Sequence, residues 1–163
     1  MICRAVVVLL VVLWTPLAAF GSDLSEFLPA EAGDLERVQL VVGQQAQAEV
    51  DQLHGKALSA EASAIARYSR PEDAGKVRPA EVWLSRVSSE KEARRQVGVM
   101  VHKMYDNPKS PFKNPKRLDK NGASVYRFTG MGQIHLIWYE GDLAYWISAQ
   151  PSDEQVMLDV FCR

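Results

Sequence analysis

The sequence predicts an α+β fold: a mostly antiparallel sheet of about six to seven strands with two to three packed helices, in a single domain. Three observations lead there. Short β-rich runs recur along the chain, two stretches repeat apolar residues at helical spacing, and most strands are joined by tight turns with few helical crossovers.

The chain opens with a segment to be set aside before fold reasoning. Arg4 precedes an uncharged apolar run from Ala5 to Trp14, Pro16 follows, and Ala19 and Gly21 place small residues three and one positions before Ser22. A charged start, an apolar core and small residues at those positions predict a cleavable export signal over 1–21, cut after Gly21. The run is about half of the roughly 20 residues that span a bilayer, so no transmembrane anchor is expected after cleavage. The mature protein, 22–163, is then placed in the periplasm or outside the cell.

Losing Arg4 takes the Lys and Arg count from 19 to 18 against 20 Asp and Glu, a formal charge of −2. That balance offers no electrostatic footprint for nucleic acid. Of the two cysteines only Cys162 survives cleavage, so the domain has no disulfide of its own and must rest on its core. Cys162 reads either as a buried apolar residue or as a thiol that pairs with another chain. Asn107 and Asn114 precede prolines and Asn121 precedes Gly122-Ala123, so there is no glycosylation acceptor. With the missing disulfide, that leans towards a bacterial envelope.

Arg37 to Val42 is β-rich and closes at Gly43, after which Ala46, Val50, Leu53 and Ala57 recur at helical spacing around Gly55. Ala62 to Ser69 and Glu81 to Val87 read as two strands joined by a loop bounded by Pro71 and Pro79. Ser89 and Glu92 form a capping box, and Ala93, Val97, Met100, Val101 and Met104 make an apolar stripe that Asp106-Asn107-Pro108 ends. From Asp106 to Asn121, three prolines among lysines resist both helix and central strand, which predicts a long basic loop leading into a strand. Asn121-Gly122, Gly130-Met131-Gly132 and Glu140-Gly141-Asp142 then punctuate a four-stranded meander ending at Ala149. Ser152 and Gln155 repeat the capping pattern ahead of a short terminal helix.

The last hairpin carries an oddity. Alternation puts Ile134, Leu136 and Trp138 on one face and His135, Ile137 and Tyr139 on the other, while Tyr145 and Trp146 fall on opposite faces of the returning strand. Neither face is plainly polar. Either helices cover both faces or one face is a binding surface. His135, Tyr139 and Trp146 are the candidate ligand-binding residues.

Between 109 and 120, Lys109, Lys113, Lys116, Arg117 and Lys120 face Asp119 alone. Lys109, Lys113, Lys116 and Arg117 are therefore candidate contacts for an acidic partner or for the lipid headgroups of a membrane face, set against the plain reading of a solvated loop whose counterpart is the acidic segment Asp23 to Asp51.

Motifs for chemistry are missing. His54 fits a helix C-terminus beside Gly55, and His102 falls off the apolar stripe. Glu140 and Asp142 are turn formers, where paired catalytic carboxylates need rigid and unlike surroundings. Gly130-Met131-Gly132 has His135 where a dinucleotide fingerprint needs glycine and joins strands where a helix should open. No Gly-x-Ser-x-Gly elbow is present. No catalytic residue, metal site or cofactor is assigned, and the balance points away from an enzyme. The expected function is an exported, non-enzymatic module that binds a small ligand or an envelope protein. The alternatives are an accessory subunit of an envelope complex and a small periplasmic hydrolase using His135 as base.

Overall fold

Short turns set the layout of this chain. The computed structural model describes residues 23–55 and 57–163. The expected leader and its cut after Gly21 lie outside the described residues. A 3-10 turn at Leu24–Phe27 starts the domain, its first turn capped by Asp23, whose carboxylate accepts from Ser25 N at 2.9 Å. There follow β1 (Glu31–Ala32), β2 (Leu35–Val42), α1 (Gly43–His54), β3 (Ala62–Ser69), β4 (Ala80–Arg86) and α2 (Glu90–Asp106). Then come β5 (Lys113–Lys120), β6 (Ala123–Gly130), β7 (Gln133–Glu140), β8 (Leu143–Ala149) and α3 (Glu154–Phe161).

Among the described residues the fold is α+β: one antiparallel eight-stranded sheet in the order β1-β2-β3-β4-β8-β7-β6-β5, with three helices, in a single domain. The expected count of six to seven strands is one short of the eight found. The extra strand is β1, whose two residues pair Glu31 with Glu36 and Ala32 with Leu35 across a turn at Gly33, φ 65°. Two residues are too few to show a period.

Helices cover both faces of the sheet. On the first face, α3 and the N-terminal turn bury a core that includes Tyr68, Val82, Leu84, Leu136, Trp138, Tyr145 and Ile147. Trp138 stacks on Tyr145 there, with ring centroids 4.6 Å apart. On the second face α1 lies over β2 and β3, held by Ala46 and Val50, while α2 lies over β7 and β8, held by Val97 and Met104. All but the last two residues of β7 are buried for this reason.

Local signals were obeyed where only local groups were involved. Ser89 Oγ accepts from Glu92 N at 3.3 Å, one half of the capping box, while the Glu92 carboxylate turns to Arg95 and Gln96, and Gly55 closes α1 in the left-handed conformation at φ 65°. The second capping pattern fails. Ser152 Oγ donates to Asp153 Oδ1 at 3.2 Å, and α3 has no side-chain cap because the Asp153 carboxylate accepts from Arg70 at 2.9 Å. The basic stretch also needs correction: the loop is short, and β5 begins at Lys113. Its prolines are tolerated because β5 is the sheet's edge and is irregular between Lys113 and Lys116, where Asn114 takes φ 54°. Nor is the acidic segment the counterpart of the lysines, because β1 and β2 form the opposite edge.

Candidate functional site

The pairing of β4 with β8 puts Trp83 opposite Trp146 and Ser85 opposite Ala144. Directly opposed residues of an antiparallel pair have Cβ atoms about 5 Å apart, so the two indoles are neighbours on the second face. Each helix on this face covers its own half of the sheet, and β4 runs between them. The result is a groove whose floor is Trp83, Ser85, Ala144 and Trp146. Val50, Leu53 and His54 of α1 form one wall, and Gln96, Val99 and Met100 of α2 form the other. The groove's volume is about 110 Å³, and its walls are largely apolar.

Leu53 and Val99 are 50% and 42% exposed. A lone exposed aliphatic residue needs no explanation, but these two stand on facing walls of one trough. The segment after α1 ties the walls together. Asp51 Oδ1 accepts from Leu58 N at 2.9 Å and from Gln47 Nε2 at 2.8 Å, while Gln96 Nε2 of α2 donates to Ser59 O at 2.8 Å. Beneath α1, Ser63 Oγ donates to Gln47 Oε1 at 2.7 Å and lies 3.2 Å from Ser85 Oγ. These bonds hold the groove's width without filling it.

His135 lies next to the floor and not on it. Its side chain is 2% exposed, its Nε2–H donates to Gly130 O at 3.1 Å, and its Nδ1 accepts from Trp146 Nε1 at 3.3 Å. Phe112 meets both rings edge-on, at 4.8 Å from His135 and 5.7 Å from Trp146. Burial pushes the imidazole below its ordinary value, the positive charge of Arg78 adds to the shift, and the Gly130 carbonyl opposes it. Both ring nitrogens are occupied, and no carboxylate is among their partners.

Of the three aromatic-face candidates, His135 and Trp146 are brought into contact and Trp146 alone reaches the groove. Tyr139 is half-buried in the cluster beneath α2, with Phe128 and Ile137. Lys109, Lys113, Lys116 and Arg117 are all exposed and belong to a separate region. Lys113, Lys116 and Arg117 lie on β5, and Lys109 in the loop before it. Three strand spacings separate β5 from β8, about 14 Å. Arg117 donates to Ser124 Oγ at 2.7 Å, and Lys113 Nζ is 3.4 Å from Pro108 O.

Sequence reasoning missed Trp83, Leu53, Val99 and Met100. The one available signal was Trp83 beside Ser85 on the same strand face, a large aromatic alternating with a small polar residue. His54 Nδ1 lies 2.8 Å from Val50 O, His102 Nε2 lies 3.0 Å from Asp106, and Cys162 is buried with its thiol 3.6 Å from Lys120 O. Among the described residues, no group of three or more His, Cys, Asp or Glu is arranged to hold a metal ion. None of their helices is long and apolar enough to cross a membrane.

No protein-family model matches the chain, and no curated protein or solved structure matches it either.

Proposed function

We propose that the protein is an exported, non-catalytic ligand-binding module of a bacterial envelope, and that its ligand is a small, largely apolar molecule held between α1 and α2. The observation that carries this reading is the groove over β4, with two neighbouring tryptophans on its floor and exposed aliphatic residues on both walls. Ligand sites are characteristically concave and apolar, with a few placed polar groups, and Ser85, His54 and Gln96 supply those here. A volume near 110 Å³ is of the order that takes one small ring or a short alkyl segment. Export is supported by the leader pattern of residues 1–21.

Two further readings weigh less. A hydrolase using His135 as base would need a free ring nitrogen within reach of substrate, and both nitrogens of this buried ring are engaged. An accessory subunit of an envelope complex finds support in the exposed lysines of β5, which lies at the sheet edge.

The groove reading is tested by NMR with octan-1-ol as a neutral probe, following the indole N–H signals. The signals of Trp83 and Trp146 shift on saturable binding, whereas that of Trp138, on the opposite face, stays in place. Leu53→Lys abolishes the shifts while leaving the circular dichroism unchanged. Titration without movement of the Trp83 signal overturns the reading.

A further inference from the structure

Resting on the groove reading above, we infer that the natural occupant is an anionic amphiphile: a carboxylate or similar head on the α2 lip, with a short apolar body against Trp83 and Trp146. Arg95, Val99 and Lys103 are spaced by four residues along α2, so they form one row at the mouth of the groove, cation, aliphatic, cation. Eight residues of helix set the two cations about 12 Å apart. Among the described residues, every charged residue that lines the groove is basic.

The neighbouring acids are already committed. Glu92 accepts both arms of the Arg95 guanidinium, at 2.6 and 2.7 Å, and also Gln96, and Asp106 pairs with His102. Among the described residues, Lys103 has no hydrogen bond or ion pair, which makes it the principal contact for an anion. The opposite wall fixes the orientation. α1 ends at His54, and a helix C-terminus presents carbonyl oxygens and a partial negative charge. That end repels an anionic head, so the head sits at α2 and the apolar body points across the floor.

A matched pair of probes separates this inference from the reading it rests on. Octanoate and octan-1-ol share a tail and differ in head charge, and each is titrated at low ionic strength with the Trp83 indole signal as readout. Octanoate is expected to bind about tenfold more tightly than octan-1-ol. Lys103→Glu, at an exposed position, abolishes or reverses that preference. Equal affinities for the two probes, or a preference that survives Lys103→Glu, overturns the anionic head while the groove stands. If neither probe moves the Trp83 signal, both the groove and the inference built on it fall.

Discussion

The indole Nε1–H of Trp146 donates to Nδ1 of His135 at 3.3 Å, so the ring that floors the groove also sets the tautomer of a buried imidazole. With Nδ1 accepting, the ring proton must sit on Nε2, where Gly130 O receives it at 3.1 Å. A second proton would put a charge in an apolar site and replace the indole's acceptor with a donor.

Stability therefore depends on pH in a defined direction. The folded protein holds His135 below its ordinary value of 6.5, so the unfolded chain takes up the proton first as pH falls. The contribution is fully present above about pH 6.5 and is lost progressively below it, until the folded state is protonated too. Urea unfolding of the wild type and His135→Gln between pH 7.5 and 5 checks this. The wild type is expected to lose more stability over that interval than the variant, and parallel curves count against the account.

At the far end of the first face, Arg70 reaches Asp34 at 2.7 Å and the buried Asp153 at 2.9 Å. Its two partners differ in what their loss costs. Asp153 is 3% exposed, so Arg70→Ala strands a buried carboxylate and is expected to cost about 2 kcal/mol in chemical denaturation. Asp34 stays in water, and Asp34→Ala should barely move the midpoint. Equal effects from the two variants would show that Asp153 does not need its cation.

Gly33 turns β1 into β2 with φ 65°, and a side chain there would run into the Val156 methyl of α3. Gly33→Ala combines left-handed strain with overpacking and is expected to cost about 2–3 kcal/mol. Val156→Ala makes room, so the double variant should recover part of that loss. A strictly additive double variant would mean that backbone strain alone is responsible.

Much of the layout was legible because its causes are local. Asn121-Gly122 makes the hairpin turn at φ 51° and 85°, the Ser89 cap starts α2, and Gly55 ends α1, each through groups within a few residues of one another. Where a distant partner competed, the local reading failed. Ser152 resembles a cap, yet Arg70 holds the neighbouring Asp153 carboxylate from across the domain. The prolines near β5 warned against a central strand, but edge placement was a property of the whole sheet.

The candidate site divides in the same way. Alternation was enough to turn His135 away from Trp138 and Trp146 away from Tyr145, because side-chain direction in a strand follows from the backbone alone. The β7–β8 register is what puts Trp146 and His135 on one face. Alternation could not put Trp83 beside Trp146 either, since that contact depends on β4 choosing β8 as its neighbour. Nor could it space α1 and α2 so that β4 runs between them. Periodicity tells each helix which side to bury, while the distance between two helices is decided by the strands each one covers, and that belongs to the tertiary structure.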